Sequence, residues 1–432
     1  MKRKFLIGLG IIVVLLIVLP LIYIAYDRSL MPPAPEPLAS APPATPGESW
    51  EQYATRYIET HKKPNALEHY LKAFSLYTSE PVLLATHDID SILKFGWTQP
   101  YPKAEEALRL NQAAIQEFLL GAQINHCEFP PDPLGFRIPV NNNYRMIMTM
   151  VKTILLSGKE KEKMNKPSEA LDIYLAGVQL EKDFGQKDQD LISYLIAMAS
   201  INRSSQQIRQ LIQKGELTQA DYRKIIAELN RINQEQTKFG DFLYEYDYRN
   251  RYTLVIRPFK ENLALMRSEN RSQSQLTKMK DDIAAIVMET YLYLNRGRLL
   301  KQKYDRAIAA QTKPYQEFMN IDWDKRMSYR DNIPVGYTRF MHEVSFLRLA
   351  QIEATIQLYY LEHKQWPKEL NDLKPYISSI PLDPFNDKPF LWSIDSTGKT
   401  FIYSVGPDFK DNLAKVIYDP SNGVDSVGDV IP

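Results

Sequence analysis

The stretch YTRFMHEVSFLRLAQIEATIQLYYLEH, residues 337–363, decides how the C-terminal part of the chain folds. Apolar side chains recur in it at alternating four- and three-residue steps, which places them on one face of a helix. They are Phe340, Val344, Leu347, Ala354, Leu358 and Leu361, with Gln351 as the polar break. Leu349, Ile352, Ile356 and Tyr359 widen this stripe, so the helix should pack against other elements. It should end before Pro367, because the residue before a proline is disfavoured in the α region.

The residues after this helix predict turns and a small sheet. Asp383 stands between two prolines in a turn. Residues 390–394 alternate as a strand does, Thr400–Tyr403 has the composition of a second strand, and the Gly-containing stretch 395–399 suits a hairpin loop. Together with the helix, they predict a small α+β module at residues 331–432.

An acidic tail follows the second strand. Its oxygen-bearing side chains are Asp408, Asp411, Asn412, Asp419, Asp425 and Asp429. Calcium takes six to eight oxygen ligands from carboxylates and carbonyls, and these residues supply them if the loop folds back on itself. EF-hand spacing is absent. The tail is therefore interpreted either as a calcium site or as a solvated acidic terminus.

Several motifs of this module occur in a known order. They are Tyr359-Tyr360, Trp366-Pro367, Leu370 with Leu373, Ile380-Pro381-Leu382-Asp383-Pro384-Phe385, and Tyr403-Ser404-Val405-Gly406-Pro407-Asp408. In this order the module resembles the C-terminal domain of the major (G-type) pseudopilins of type II secretion systems. The resemblance implies a helix that leads through two proline turns to a small sheet. It also implies that residues 404–408 begin a loop that often binds calcium in that family.

The N-terminal part departs from the pseudopilin pattern. Pseudopilins begin with a Gly or Ala cleavage site and carry a Glu five residues into the mature chain, and this chain has neither. The whole chain more closely resembles a group of uncharacterised, membrane-anchored bacterial helical proteins that end in the same motifs. A role as a minor structural pseudopilin is therefore the least favoured hypothesis.

Composition limits the class of protein. The formal net charge is +1, from 53 basic and 52 acidic residues, so nothing suggests a nucleic-acid partner. Cys127 is the single cysteine, which excludes an internal disulfide. Only 17 glycines occur in 432 residues, and the long Ala-, Leu-, Lys- and Glu-rich segments favour helix.

The N-terminus predicts a membrane anchor. Residues 5–26 are apolar without a charge and are long enough to cross a bilayer, and the basic residues 2–4 before them predict that the N-terminus stays in the cytoplasm. The rival interpretation is a cleaved signal peptide, with Ala39-Ser40-Ala41 as the cleavage site. Residues 27–48 form a Pro-rich linker, either a semi-rigid spacer or a disordered tether. The bulk of the chain would then be extracytoplasmic.

Residues 49–330 predict an α-helical body. The expected helices are 51–61, 66–77, 104–122, 145–157, 169–184, 191–213, 219–239 and 274–310, with a proline-rich loop at 126–140. The motif Ala66-Leu67-x-x-Tyr70-Leu71 recurs as Ala170-Leu171-x-x-Tyr174-Leu175. It resembles the first helix of tetratricopeptide-type hairpins, where a small residue lets the paired helix approach. The predicted fold class is mainly α, with an irregular, solenoid-like array of helical hairpins.

Candidate catalytic residues are few. His126-Cys127 would need a base or a positive environment to be reactive, and a packed cysteine is the favoured interpretation. Asp241, Glu245 and Asp247 stand near three tyrosines, but the arginines that follow favour local ion pairs. Asp322-Trp323-Asp324 resembles a sugar site, although three residues are a weak signal. No phosphate-binding loop and no hydrolase or zinc-peptidase motif occurs.

These observations predict a non-enzymatic, single-pass protein of the bacterial inner membrane. Its body and module would bind protein partners in the envelope, with a link to a type II secretion or pilus-like system. The alternative is an extracytoplasmic hydrolase of cell wall or polysaccharide, in which paired carboxylates do acid–base work.

Overall fold

The computed structural model describes residue 45 and residues 48–61, 63–130, 144–184, 191–235, 238–243, 298–321, 333–394, 400–419 and 426–431. This part of the chain is mainly helical, which confirms the predicted class. The predicted anchor, residues 5–26, lies outside it. Within the described ranges no helix is both long enough and apolar enough to cross a membrane.

Helices account for most of the described chain. Their bounds are α1 Trp50–His61, α2 Ala66–Leu76, α3 Ser79–Leu84, α4 Thr86–Phe95, α5 Pro102–Ala122, α6 Tyr144–Lys163, α7 Pro167–Phe184, α8 Leu191–Lys214, α9 Gln219–Glu235, α10 Phe239–Phe242, α11 Arg298–Ala310, α12 Tyr315–Met319 and α13 Ile333–His363. A 3₁₀ helix, Leu370–Leu373, and two strands, β1 Leu391–Ile394 and β2 Thr400–Tyr403, follow.

Most of the predicted helices are present, with three differences, and of the predicted helix 274–310 only the part from Arg298 lies in the described ranges. The sequence predicted nothing regular between residues 77 and 104, where α3 and α4 lie. Pro81 lies in the first turn of α3, where a missing backbone N–H costs no helical hydrogen bond. Helix α6 continues past the predicted end at residue 157, and the predicted helix 219–239 is divided into α9 and α10 because Lys238 is extended.

The repeated motif forms the same contact twice in the body. Helix α2 packs on α5, and α7 packs on α6. Tyr70 lies against Gly121 and Tyr174 against Gly158, so closely that an added Cβ on either glycine would fall within 2.6 Å of the ring. Both tyrosines are fully buried. The predicted close helix pairing is present, but the small residues at the ring contacts are glycines of the facing helices rather than Ala66 and Ala170 of the motif, and the tetratricopeptide-like geometry stays a prediction.

Helix α13 joins the body to the C-terminal module. It packs against α8 and α9 of the body and against β2 and the 3₁₀ helix of the module. Six consecutive residues, 342–347, are buried, which a helix with one apolar face cannot achieve. Even Gln351, the polar break, is buried. The helix is thus enclosed on all sides rather than along one stripe, and its end at His363 agrees with the predicted stop before Pro367.

The module is built around a short antiparallel hairpin, as predicted. Leu391 pairs with Tyr403 and Ile394 with Thr400, and the connecting residues 395–399 lie outside the described ranges. The C-terminal segment then returns to the sheet. Single bridges join Ser404 to Val430 and Ile417 to Asp429. The proposed boundary at residues 330/331 stays a prediction.

Candidate functional site

Asp429 lies at the centre of the acidic tail. Its side chain is fully buried and accepts hydrogen bonds from the backbone N–H groups of Asn412 at 3.2 Å and Ala414 at 2.8 Å. Leu413 and Ala414 have φ values of 55° and 56°, and this left-handed turn directs both N–H groups at one carboxylate. Burial raises the pKa of Asp429, and the charges of Asp411 and Asp408 raise it further.

Asp408 and Asp411 surround Asp429 and bind the same loop. Asp408 accepts from the backbone N–H groups of Lys410 and Gly428, both at 3.0 Å, and from the Asn412 side chain at 3.3 Å. Asp411 accepts from the N–H of Leu413 at 2.8 Å and from the hydroxyl of Tyr403 at 3.0 Å. The structure therefore brings Asp408, Asp411, Asn412 and Asp429 together.

The other two predicted ligands are placed differently. The backbone N–H of Asp419 donates to Ser426 Oγ at 3.0 Å, which links two parts of the tail. Asp425 lies outside the described ranges. In the part of the tail that is described, the carboxylates serve as acceptors that close turns, so the acidic residues here do more than keep a terminus in solution.

The fit of these residues to calcium is partial. Among the described residues, no group of three or more His, Cys, Asp or Glu side chains is arranged to hold a metal ion. The oxygens of Asp408, Asp411 and Asp429 are turned toward backbone donors. Calcium needs about six oxygens around one point, and the described residues do not assemble them. The calcium site stays a prediction.

Asp383 has a structural role that the sequence analysis did not assign. It is fully buried and accepts from the N–H groups of Phe385 and Val405, both at 3.0 Å, and from Ser404 Oγ at 2.9 Å. Burial raises its pKa to about 6. Arg348 of α13 donates to the carbonyl of Leu382 at 2.7 Å beside it. Asp383 thus ties the proline turn to the end of β2, and the neighbouring Leu382 carbonyl ties the same turn to α13. The two prolines near Asp383 were the available signal in the sequence.

Cys127 is packed, as the sequence analysis favoured. Its side chain is buried, and burial, followed by the charge of Asp183, raises the pKa of the thiol well above its ordinary value. A thiol in that state is a poor nucleophile. Its neighbour His126 lies 3.4 Å from Glu128 on the surface. Cys127 contributes apolar contacts to the body core.

The carboxylate–aromatic clusters lie almost wholly outside the described ranges. Of the first cluster, only Asp241 is described, in the short helix α10. Asp322-Trp323-Asp324 falls in the undescribed stretch 322–332. The hydrolase alternative therefore stays a prediction.

A cleft of about 370 Å³ lies where the body meets the module. It is bounded by α8, by His342 and Phe346 of α13, and by residues 417–418 and 430–431 of the C-terminal segment. The wall formed by α8 is polar throughout and consists of Asn202, Gln206, Arg209, Gln210 and Gln213. No local pattern in the sequence indicates this cleft, because its walls come from three separate segments of the chain, 202–213, 342–346 and 417–431.

The comparisons with known proteins give no relative. No protein-family profile, no curated protein and no solved structure matches the chain. What the structure itself defines is a mainly α protein whose last long helix also carries a small mixed module.

Proposed function

We propose that this chain is a non-enzymatic scaffold of the bacterial envelope, anchored in the inner membrane by residues 5–26 and binding other proteins outside the cytoplasm. Its body would be an irregular tetratricopeptide-like array of helical hairpins, and its module would be pseudopilin-like. The observation that supports this proposal is the position of α13, which packs against both the body and the module.

Ion pairs support the idea that the body fixes the module in place. Arg209 of α8 donates through Nε and Nη2 to Glu353 of α13 at 2.7 and 3.0 Å, and the Arg209 side chain is 2% exposed. At the C-terminal end of α13, Arg223 of α9 pairs with Glu362. Breaking a buried pair from one side is strongly destabilising, so the contact resists rotation of the module. A module held in a fixed orientation suits a scaffold.

The module carries apolar surface of the kind that protein partners cover. Leu413, Val416, Ile417 and Val427 are all more than 40% exposed, and they lie on the two segments that cross at Gly428. Clustered exposed apolar residues mark interaction sites more often than single ones do. The resemblance to pseudopilins makes components of a type II secretion or pilus-like system the favoured partners. Calcium bound at the acidic tail would help to order this surface.

The test is a crosslinked pull-down of the full-length protein from native membranes, identified by mass spectrometry. We expect secretion or pilus assembly components, and we expect them to be lost when Leu413→Asp and Val427→Asp are combined. A matched control combines Leu84→Asp with Phe95→Asp, which changes exposed apolar residues of the body. Recovery of only cell-wall enzymes and glycan, or equal recovery with both double variants, would overturn the proposal.

A further inference from the structure

The cleft between α8, α13 and the C-terminal segment indicates what kind of partner the scaffold binds. We infer that it is a docking groove for a short, extended and uncharged peptide segment that inserts an aliphatic side chain against the module. This inference rests on the proposed role in protein interaction and adds the chemistry of the partner.

The α8 wall of the groove presents a row of amide side chains. Asn202, Gln206, Gln210 and Gln213 follow at steps of four, four and three residues and so share one helical face. Eleven residues of helix span roughly 16 Å, the length of about five residues of extended chain. Each amide side chain both donates and accepts a hydrogen bond, as each peptide unit does. Gln210 Oε1 already accepts from Lys159 at 2.9 Å and Asn202 Nδ2 donates to Glu343 at 3.2 Å, so the exposed amides of Gln206 and Gln213 are the ones best placed to pair with an extended backbone.

The charges in this wall point to an uncharged ligand. Arg209 is neutralised by Glu353, which accepts from two of its nitrogens. A buried ligand with a net charge would lack a counter-ion here, and burying an unpaired charge is costly. Arg209 Nη1 and Asn202 Oδ1 are buried without a hydrogen-bond partner among the described residues. If the two side chains turn toward the groove when a peptide binds, a peptide carbonyl and a peptide N–H are the complements that these two atoms need.

The opposite wall favours an aliphatic side chain over a sugar ring. Ile417, which is 67% exposed, stands at this wall with Val430 and Ile431. The aromatic rings are already engaged with one another. The Arg209 guanidinium lies 5.1 Å from the centre of the Phe346 ring, and His342 packs edge-on against the same ring at 4.7 Å. A pyranose needs a free ring face for stacking, whereas an aliphatic side chain needs only Ile417 and its neighbours.

The experiment is a selection from a phage-displayed library of random nine-residue linear peptides on the full-length protein in detergent. Selected peptides are then titrated by fluorescence anisotropy. The variant Gln206→Ala/Gln213→Ala changes two exposed residues of the amide row, and Ile417→Asp changes the opposite wall. The matched control Gln112→Ala/Gln116→Ala changes two exposed glutamines on α5.

We expect peptides without net charge that contain an Ile, Leu or Val, with binding at least tenfold weaker in both groove variants and unchanged in the control. The inference would be overturned if the selected peptides carry a net charge, or if they bind the groove variants and the wild type with equal affinity. The same holds for a selection that yields no peptide. In any of these cases the pull-down still decides the proposed scaffold function separately, because its variants lie on the module surface.

Discussion

The helical body and the C-terminal module bury carboxylates in different ways. In the body, Asp183 accepts from the Tyr70 hydroxyl at 2.7 Å and from the Gln179 side chain at 2.8 Å. Glu162 accepts from the Tyr174 hydroxyl and pairs with Lys159 at 3.1 Å. In the module, the carboxylate of Asp383 is held mainly by backbone N–H groups.

The difference follows from the local secondary structure. A helix satisfies its own backbone N–H groups, so a carboxylate buried between helices must find side-chain donors. The two strands of the module are four residues each, and the turns around them leave backbone donors without a ladder partner. Buried N–H groups have to be paired, and aspartates provide the acceptors. In the body, buried carboxylates therefore accept hydrogen bonds from side chains of neighbouring helices. In the module, they accept hydrogen bonds from backbone N–H groups that have no partner in a sheet.

The largest expected effect comes from removing one carboxylate in each region. Asp383→Ala leaves the buried backbone N–H groups of Phe385 and Val405 without their acceptor, and we expect it to lower the free energy of unfolding by roughly 3 kcal/mol or more. Asp183→Ala removes a carboxyl group that is costly to bury as well as the acceptor it provides. We therefore expect the free energy of unfolding to fall by only roughly 1–2 kcal/mol. Hydrogen-exchange mass spectrometry measures the two regions separately. Equal losses, or a larger loss for Asp183→Ala, would contradict the distinction between backbone and side-chain donors.

The next effect tests the side-chain packing of the body. An added Cβ on Gly158 would lie 2.2 Å from the Tyr174 ring, so Gly158→Ala should cost about 1–2 kcal/mol after the gain in helix propensity. In a Tyr174→Ala background the clash is absent, and Gly158→Ala should instead stabilise by up to about 1 kcal/mol. The measurement is a double-mutant cycle by urea unfolding. If the effects of the two substitutions on the free energy of unfolding are additive, the absence of a side chain at Gly158 is not required by the Tyr174 ring.

The sequence predicted the helices and strands better than it predicted how they pack against one another. The sequence pattern predicted α5, α7 and α13, and the repeated Ala-Leu-x-x-Tyr motif predicted close helix pairing without identifying the glycines that allow it. Periodicity within one segment cannot show that α13 has neighbours on every side, because those neighbours belong to distant helices. The acidic tail was identified by composition. The acceptor roles of Asp383 and Asp429 depend on the turn geometry of other segments, and no local pattern contains that information.

A smaller effect is expected from pH. The pKa of Asp183 is raised from 3.8 to about 7, chiefly by burial, so the folded state keeps a proton that the unfolded state releases. The stability from this group is fully present below about pH 4 and is lost as pH rises through 7. Asp183→Asn should therefore lose stability less steeply than the wild type between pH 5 and 8 in urea unfolding.

Glu162 supplies the matched control for this pH dependence. Despite its burial, the nearby charge of Lys159 and hydrogen bonds from Lys214 and Tyr174 lower its pKa below the ordinary value of 4.5. Its contribution is present above that value and is lost only as pH falls below it. Glu162→Gln should shift stability by a constant amount across pH 5–8. A change of slope with Glu162→Gln, or none with Asp183→Asn, would contradict the assignment.

The smallest expected effect is that of calcium on the module, and it sharpens the comparison most directly. At ten times its dissociation constant, a ligand that binds only the folded state stabilises it by about 1.4 kcal/mol, so millimolar calcium should raise the melting temperature of the full-length protein by about 1–2 °C. Asp411→Asn should reduce the shift, and magnesium, which demands stricter octahedral geometry, should give less. A melting temperature that calcium leaves unchanged would remove the metal site. The carboxylates of the tail would then act only as hydrogen-bond acceptors within the module, mainly for backbone N–H groups as Asp383 does, and would supplement the short hairpin rather than bind an ion.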